Sequence, residues 1–499
     1  MIAWIPDLLY TNRRFESGVA LVCDEAGTIV KVARLDELRD EKRINLSRRA
    51  ILPGMVNAHS HAFQRVIRGK TEYQTSERDS FWTWREMMYS AATRLTPEDI
   101  YDASRMAFLE MALSGITAVG EFHYLHHAPE GKPYDDPNLL AKEVVRAASD
   151  VGLRIALLRV AYARSGFETE SNPKQARFIE ADSETYLQNL EGLIRDLDRG
   201  TSPTVREGSS SIAESGALPD GRASDTAWIG MAPHSIRAVP LSYLKEVVAY
   251  ANEHELKVHM HVAEQPAEVS ACIEEHGRTP VALLETEGLL SDRFTAVHAI
   301  HVTPKAIPSF AKTGAIVCAC PTTERNLGDG LVPADEYVKN GVAICLGTDS
   351  HTQIDLLEDA RELEYHLRLQ KLERAVLGVR SPSVSEGRST DPALPNDRAS
   401  DPAALLFDCA TVNGARSIGA PNGSLEPGKP ADFFTFDLDE PSIAGASTAD
   451  LLPAMVFSSS RAAVREVVVG GKPIVSEGQH LIQEEVVERF SELQKKMWS

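Results

Sequence analysis

Eight short apolar runs, each followed by a stretch long enough for a helix, dominate the middle of this chain. They read "ILPGMVNAH", "ITAVGEF", "RIALLRV", "WIGMAP", "LKVHMHV", "FTAVHAI", "AIVCAC" and "VAICLGTD". Between them lie segments such as "DIYDASRMAFLEMALSG" and "LSYLKEVVAYANEHE", which carry helix formers and helical spacing. Near-continuous apolar strands are buried on both faces, and parallel neighbours need crossovers of about this length. Strand and helix alternating eight times predict an α/β fold, a (β/α)8 TIM-type barrel.

The two ends of the chain read differently. "GVALVCDEAGTIVKVARL" near the N-terminus alternates β-formers around a turn. "SLEPGKPADFFTFDL" and "VREVVVGGKPIVSEG" do the same near the C-terminus, the latter around Gly-Gly. We expect residues 1–50 and 424–480 to build one small β-sandwich domain from both ends, 51–423 to be the barrel, and 481–499 to be a C-terminal helix. Two Ser-, Gly-, Pro- and charge-rich segments, 201–225 and 380–401, read as surface insertions. No internal repeat interrupts the pattern.

Active sites of such barrels form at the carboxyl ends of the strands, so polar residues there are the ones to collect. His59 and His61 end the first run, His234 the fourth, His298 the sixth and Asp349 the eighth, while His261 lies in the fifth. A lone strand-end histidine is more often a structural one. Six such residues around one barrel are hard to assign to packing. Side chains at i and i+2 of a strand share a side, so His59 and His61 converge. With His261 and Asp349 they make an N/O donor set suited to one divalent metal, Zn2+ first and Fe2+ second. Spacing alone does not choose between His259 and His261. Glu264, three residues after His261, favours His261 and leaves His259 in the core. A bound metal brings the pKa of its water toward about 7, and Glu264 is the candidate proton shuttle. Asp349 could also accept a proton, and His298 could polarise the attacked centre.

Composition narrows the partners. With 52 basic and 72 acidic residues the net charge is −20, a field that repels nucleic acid and anionic membranes. No apolar run reaches the length of a membrane span. "MIAWIPDLLYTNRR" lacks the features of a signal peptide. Six scattered cysteines form no disulfide framework, which fits a reducing, cytoplasmic setting. Cys318 and Cys320, in "AIVCACP", read as buried packing. "CPTTERNLGDG" reads as a glycine-containing loop after the seventh strand, without a phosphate-cradle fingerprint.

The set H-x-H, His, H-x-x-E, His, Asp resembles the single-metal deaminase branch of the amidohydrolase superfamily. "WIGMAPHSIR" offers no lysine for the carboxylated bridge of the two-metal branch. "NAHSHAFQR", "DSFWTWREMMY", "EFHYLHH", "APHSIRAV", "HVAEQ", "CPTTERNLGDG" and "GTDSH" closely resemble the formimidoylglutamate deiminase family, over nearly the whole chain outside the two insertions. That resemblance implies conversion of N-formimino-L-glutamate and water to N-formyl-L-glutamate and ammonia, a step of histidine degradation, by a homodimer. It also implies that Gln64, Arg85, Tyr124, His234 and Arg237 bind the substrate. The residue types agree: a dicarboxylate amidine wants bidentate arginines and neutral hydrogen-bonding groups. Without the resemblance Arg85 reads as one face of an amphipathic helix. The competing readings are a deaminase of a purine, guanidine or triazine, and a catalytically inactive scaffold barrel.

Overall fold

In a computed structural model of the protein, residues 1–73, 80–167, 172–198, 226–378 and 402–499 are described. The two expected insertions, 201–225 and 380–401, lie outside them. All eight expected runs contain parallel strands: Met55–Ser60, Ile116–His123, Arg154–Ala161, Ala227–Pro233, Val258–Val262, Phe294–His298, Ile316–Ala319 and Ile344–Leu346. They follow one another around a single eight-stranded sheet. Every residue of the second and third strands is buried, as strands covered by barrel interior on one face and helices on the other must be. The sheet turns back on itself where Ser60 bridges Asp349 in parallel.

Local signals start the crossover helices where expected. Pro97–Leu113 opens with Thr96 and Asp99 in reciprocal bonds, Asp99 N to Thr96 Oγ1 at 3.3 Å and Thr96 N to Asp99 Oδ2 at 2.9 Å, and with proline in the first turn. The stretch "CPTTERN", expected as loop, forms the short helix Pro321–Leu327. Proline at its first position and Gly328 at φ +70° after its end explain why.

The expected terminal sandwich takes the form of one nine-stranded mixed sheet drawn from both ends. It curls over its own apolar core, bringing Leu21 and Ile29 against Phe433 and Val468. Backbone bonds from Ile29 N to Lys429 O and Ala431 N to Gly27 O stitch the curl. The Gly470–Gly471 turn has both residues at positive φ, +55° and +72°, as a two-residue hairpin of this twist requires. Strand Lys42–Pro53 belongs to this sheet, so "ILP" leaves the first barrel run and only Gly54 separates the two sheets. The chain ends in helix Gln483–Trp498. Among the described residues no helix is long and apolar enough to cross a membrane.

One buried ion pair joins the two sheets. Arg154, at the start of the third barrel strand, donates to Asp432 at 2.6 and 3.1 Å, and Asp432 also accepts from Gly470 N at 2.7 Å. Removing one partner of such a pair strands the other charge at a cost of roughly 3–5 kcal/mol. We therefore expect Asp432→Ala to lower the melting temperature clearly in thermal unfolding; an unchanged melting temperature would show that the joint carries no stability.

Candidate metal centre and active site

The site begins at the barrel's closing seam. Asp349 N donates to His59 O and His61 N to Asp349 O, each at 3.1 Å. Asn57 donates to Thr348 Oγ1 at 2.7 Å and accepts from Thr348 N at 3.0 Å. A Cβ on Gly347 would stand 2.7 Å from the Cβ of His59, so the close approach needs glycine. Closing the barrel thus delivers Asp349 to the two histidines of the first strand.

The donor atoms of His59, His61, His261 and Asp349 all lie within 4.8 Å of one another, and all four residues are buried. His61 Nδ1 faces Phe122 O and His261 Nδ1 faces His234 O, both at 3.0 Å. A carbonyl only accepts, so each Nδ1 holds a proton and each Nε2 turns a lone pair inward. His261 Nε2 is 3.2 Å from His59 Nε2, and His61 Nε2 is 3.3 Å from Asp349 Oδ1. Edges of about 3.4 Å are what a tetrahedral site with 2.0–2.2 Å ligands requires. Burial first, then the neighbouring imidazoles, hold His59 and His261 well below the usual histidine range, and burial takes His61 down to about 3. Neutral, converging imidazoles beside a carboxylate fit a divalent metal. His259 is elsewhere: its Nε2 meets Ser417 O at 3.1 Å.

Beside this set stand the acid–base groups. His298 Nε2 lies 3.6 Å from Glu264 Oε1 and 3.7 Å from Asp349 Oδ2, while its Nδ1 faces Glu324 at 3.2 Å. Burial opposes a charge on His298, but Glu264, Glu324 and Asp349 outweigh it and raise its pKa to about 10. Ala263, His298, Ala299, Asp349 and His351 all have positive φ. That strain collects at the ends of the fifth, sixth and eighth strands, where the candidate residues His261, Glu264, His298 and Asp349 are presented.

Gln64, Arg85, Tyr124, His234 and Arg237 line one pocket with His61, His261, Glu264, His298 and Asp349; His59 lies beneath, fully buried. Every candidate site residue is therefore brought together. Gln64 donates to Tyr124 at 2.9 Å, and Gln64 Oε1 is buried with no partner among the described residues. Arg85 stacks over Trp82, 4.4 Å from its centroid, yet its Nε and Nη1 have no partner among the described residues, and neither has Arg237 Nη1. Burial, then the charge of Arg237, lowers the Arg85 pKa. Two neighbouring half-buried cations, with buried N–H donors that have no partner among the described residues, are suited to receiving anionic groups.

The profile of the amidohydrolase family matches residues 50–474. The chain belongs to that family. It is similar to formimidoylglutamate deiminase of Pseudomonas aeruginosa, 36% identical over 442 residues, 88% of each chain. It is 26% identical to the 5-methylthioadenosine/S-adenosylhomocysteine deaminase of Haloarcula marismortui over 481 residues, 96% of this chain and 91% of that one. The crystal structure of an amidohydrolase from Brucella melitensis matches with a TM-score of 0.83 and 30% identity, covering 100% of both chains.

Several supporting residues escaped the sequence reading. Glu121 accepts from Ser60 Oγ and from Ala62 N, gripping the turn that presents His61. It sits at the end of the second strand, where the strand-end rule should have found it. Glu268 accepts from Ala263 N and Glu264 N, both at 3.2 Å, and so holds the loop of the proton shuttle. Its only signal is its place in the first turn of helix Pro266–His276. Cys320, expected as packing alone, has its sulfur within 4.8 Å of donor atoms of His298 and Asp349.

Replacing one of two histidines two residues apart separates their roles. We expect His261→Ala to purify with little zinc or iron and His259→Ala to keep it, by elemental analysis; the reverse would move the ligand assignment to His259.

Proposed function

We propose that this amidohydrolase hydrolyses N-formimino-L-glutamate to N-formyl-L-glutamate and ammonia in the cytoplasm. The observation that carries the reading is the pair Arg85 and Arg237: two neighbouring half-buried guanidinium groups whose buried N–H donors have no partner among the described residues, in the same pocket as the His59, His61, His261 and Asp349 set. A dicarboxylate satisfies both. A purine or triazine brings no carboxylate and would leave both cations unpaired. The similarity to formimidoylglutamate deiminase points the same way.

A Zn2+ or Fe2+ held by His59, His61, His261 and Asp349 would supply Lewis acidity and an acidified water. The residues of the chain do the rest. The water oxygen bonds to the formimino carbon while Glu264 removes its proton. Glu264 then gives that proton to the terminal nitrogen; Asp349 takes the remaining proton of the added hydroxyl, that proton passes to the same nitrogen, and as the carbon–oxygen double bond forms the carbon–nitrogen bond breaks and ammonia leaves. His298, oriented through Nδ1 by Glu324, donates toward the centre where negative charge develops. Gln64 Oε1 accepts from a substrate N–H, and Arg85 and Arg237 fix the carboxylates so that the amidine carbon falls at the metal set.

Two measurements test this. Glu264→Gln should retain its metal and lose turnover by roughly 10²–10⁴-fold or more; near-normal turnover would pass the shuttle to Asp349 or His298. In ammonia release from formiminoglutamate, formiminoaspartate, guanidinoglutarate and guanine, the first should dominate. Formiminoaspartate is one methylene shorter, and a misplacement of about 1 Å costs roughly 10²-fold. Arg85→Met and Arg237→Met should each lower kcat/KM sharply with metal retained. Equal rates on the glutamate and aspartate compounds, or wild-type kinetics in both variants, would overturn the dicarboxylate pocket.

A further inference from the structure

Two tyrosines in the pocket wall stand outside the roles assigned so far. Tyr89 and Tyr162 both line the pocket with Arg85 and Arg237. Both are almost fully buried. Their hydroxyls share one neighbour behind the wall, Gln175, whose amide nitrogen donates to Tyr89 Oη at 2.7 Å and to Tyr162 Oη at 2.6 Å. The two N–H bonds of one primary amide thus fasten two hydroxyls side by side. Burial, then the adjacent Tyr89 hydroxyl, raises the Tyr162 pKa, so Tyr162 keeps its proton and shares it with Tyr89. A hydroxyl that accepts still has one proton to give. Among the described residues Tyr89 has no acceptor for it.

The direction of that proton follows from what surrounds it. Arg85 lies one helical turn before Tyr89 on helix Phe81–Ala92, which puts both on one face. Its guanidinium is 5.5 Å from the Tyr89 ring centroid. Arg237, arriving from the end of the fourth strand, lines the same pocket, and after burial its strongest electrostatic influences are Tyr162 and Tyr89. Tyr89, Arg85 and Arg237 therefore line one volume, and among the described residues the Tyr89 hydroxyl, Arg85 Nε and Nη1 and Arg237 Nη1 have no acceptor.

We propose that Tyr89 donates its hydroxyl proton to the substrate carboxylate received by Arg85, beside Arg237, and that Gln175 and Tyr162 orient it. Tyr89 is a specificity-determining contact; Gln175, which lies behind the wall, is a positioning residue. This deepens the dicarboxylate reading above and rests on it. Arginines alone accept anions over a range of positions, because their long stems swing. A phenol locked by Gln175 gives the anion a fixed address, which is how the pocket would measure the length of the substrate.

The test uses the full-length enzyme carrying its metal, with two readouts. Tyr89→Phe removes the oxygen and keeps the ring. It should raise KM for formiminoglutamate and weaken glutarate binding in calorimetry, each by about ten- to a hundredfold, the range of a hydrogen bond to a charged group. The change in kcat should be smaller. Gln175→Met should move KM in the same direction, with kcat and melting temperature close to the wild type. If the wild type turns over formiminoglutamate and Tyr89→Phe matches it in KM and in glutarate binding, the hydroxyl spends its proton on Gln175 and the proposal falls, while the function stands. If the wild type is inactive on formiminoglutamate but binds glutarate, weaker binding by Tyr89→Phe supports the donor although the substrate differs. Binding of neither compound by the wild type overturns both readings. A Gln175→Met variant that loses kcat and melting temperature with KM unchanged makes Gln175 structural and removes it from the proposal.

Discussion

The contact on which the site depends is the seam between the first and eighth barrel strands. Three backbone and side-chain bonds across it, His61 N to Asp349 O, Asp349 N to His59 O and Thr348 N to Asn57 Oδ1, register one strand against the other. Parallel strands pair in steps of two residues, and a slip by one would turn every side chain to the other face. Asp349 would then point away from His59 and His61, and the donor set would not exist. Gly347, where no Cβ fits against His59, keeps that register close. The closing of the barrel and the assembly of the metal centre are the same event.

Around the seam, buried polar groups are satisfied by one another or left open toward the pocket. Glu121, Glu268 and Glu324 spend their oxygens on backbone amides, on Ser60 and on His298. They hold loops and fix tautomers. Among the described residues, the groups without a partner include Gln64 Oε1 and N–H donors of Arg85 and Arg237, which line the pocket. Burying such groups without partners costs free energy in the empty protein. That cost is recovered when a ligand of matching charge enters, so the open donors outline the ligand more sharply than the shape of the pocket does.

Much of this was legible beforehand, for identifiable reasons. Eight apolar runs with crossover-length spacers fit few folds other than a barrel, and barrels place chemistry at strand ends, so His59, His61, His261, His298 and Asp349 could be picked by position. The Gly-Gly hairpin near the C-terminus announced itself because its turn needs two positive φ angles. The helix Pro321–Leu327 was missed because a short helix that opens with proline and runs straight into Gly328 and Gly330 reads as loop in a linear pattern. Glu121 was missed because no local pattern in the fully buried strand Ile116–His123 ties it to Ser60 and Ala62 in another segment, and Glu268 because an acid in a first helical turn is ordinary.

By itself, then, the sequence determined the kinds of element, their order and the chemistry of the strand ends. These are local properties, written in apolar periodicity and in residues at i and i+2. Only the tertiary structure decided which side chains meet. Arg85, on a helix face, and Arg237, past a strand end, are 152 positions apart in the numbering, and no periodicity links them. That His261 joins His59, His61 and Asp349 while His259 meets Ser417 is visible only in space. The pairing of Tyr89 with Tyr162 through Gln175 depends on three separate segments arriving at one wall. Such coincidences come from closure of the sheet and packing of its crossovers, which fix distances between residues that the chain itself leaves unrelated.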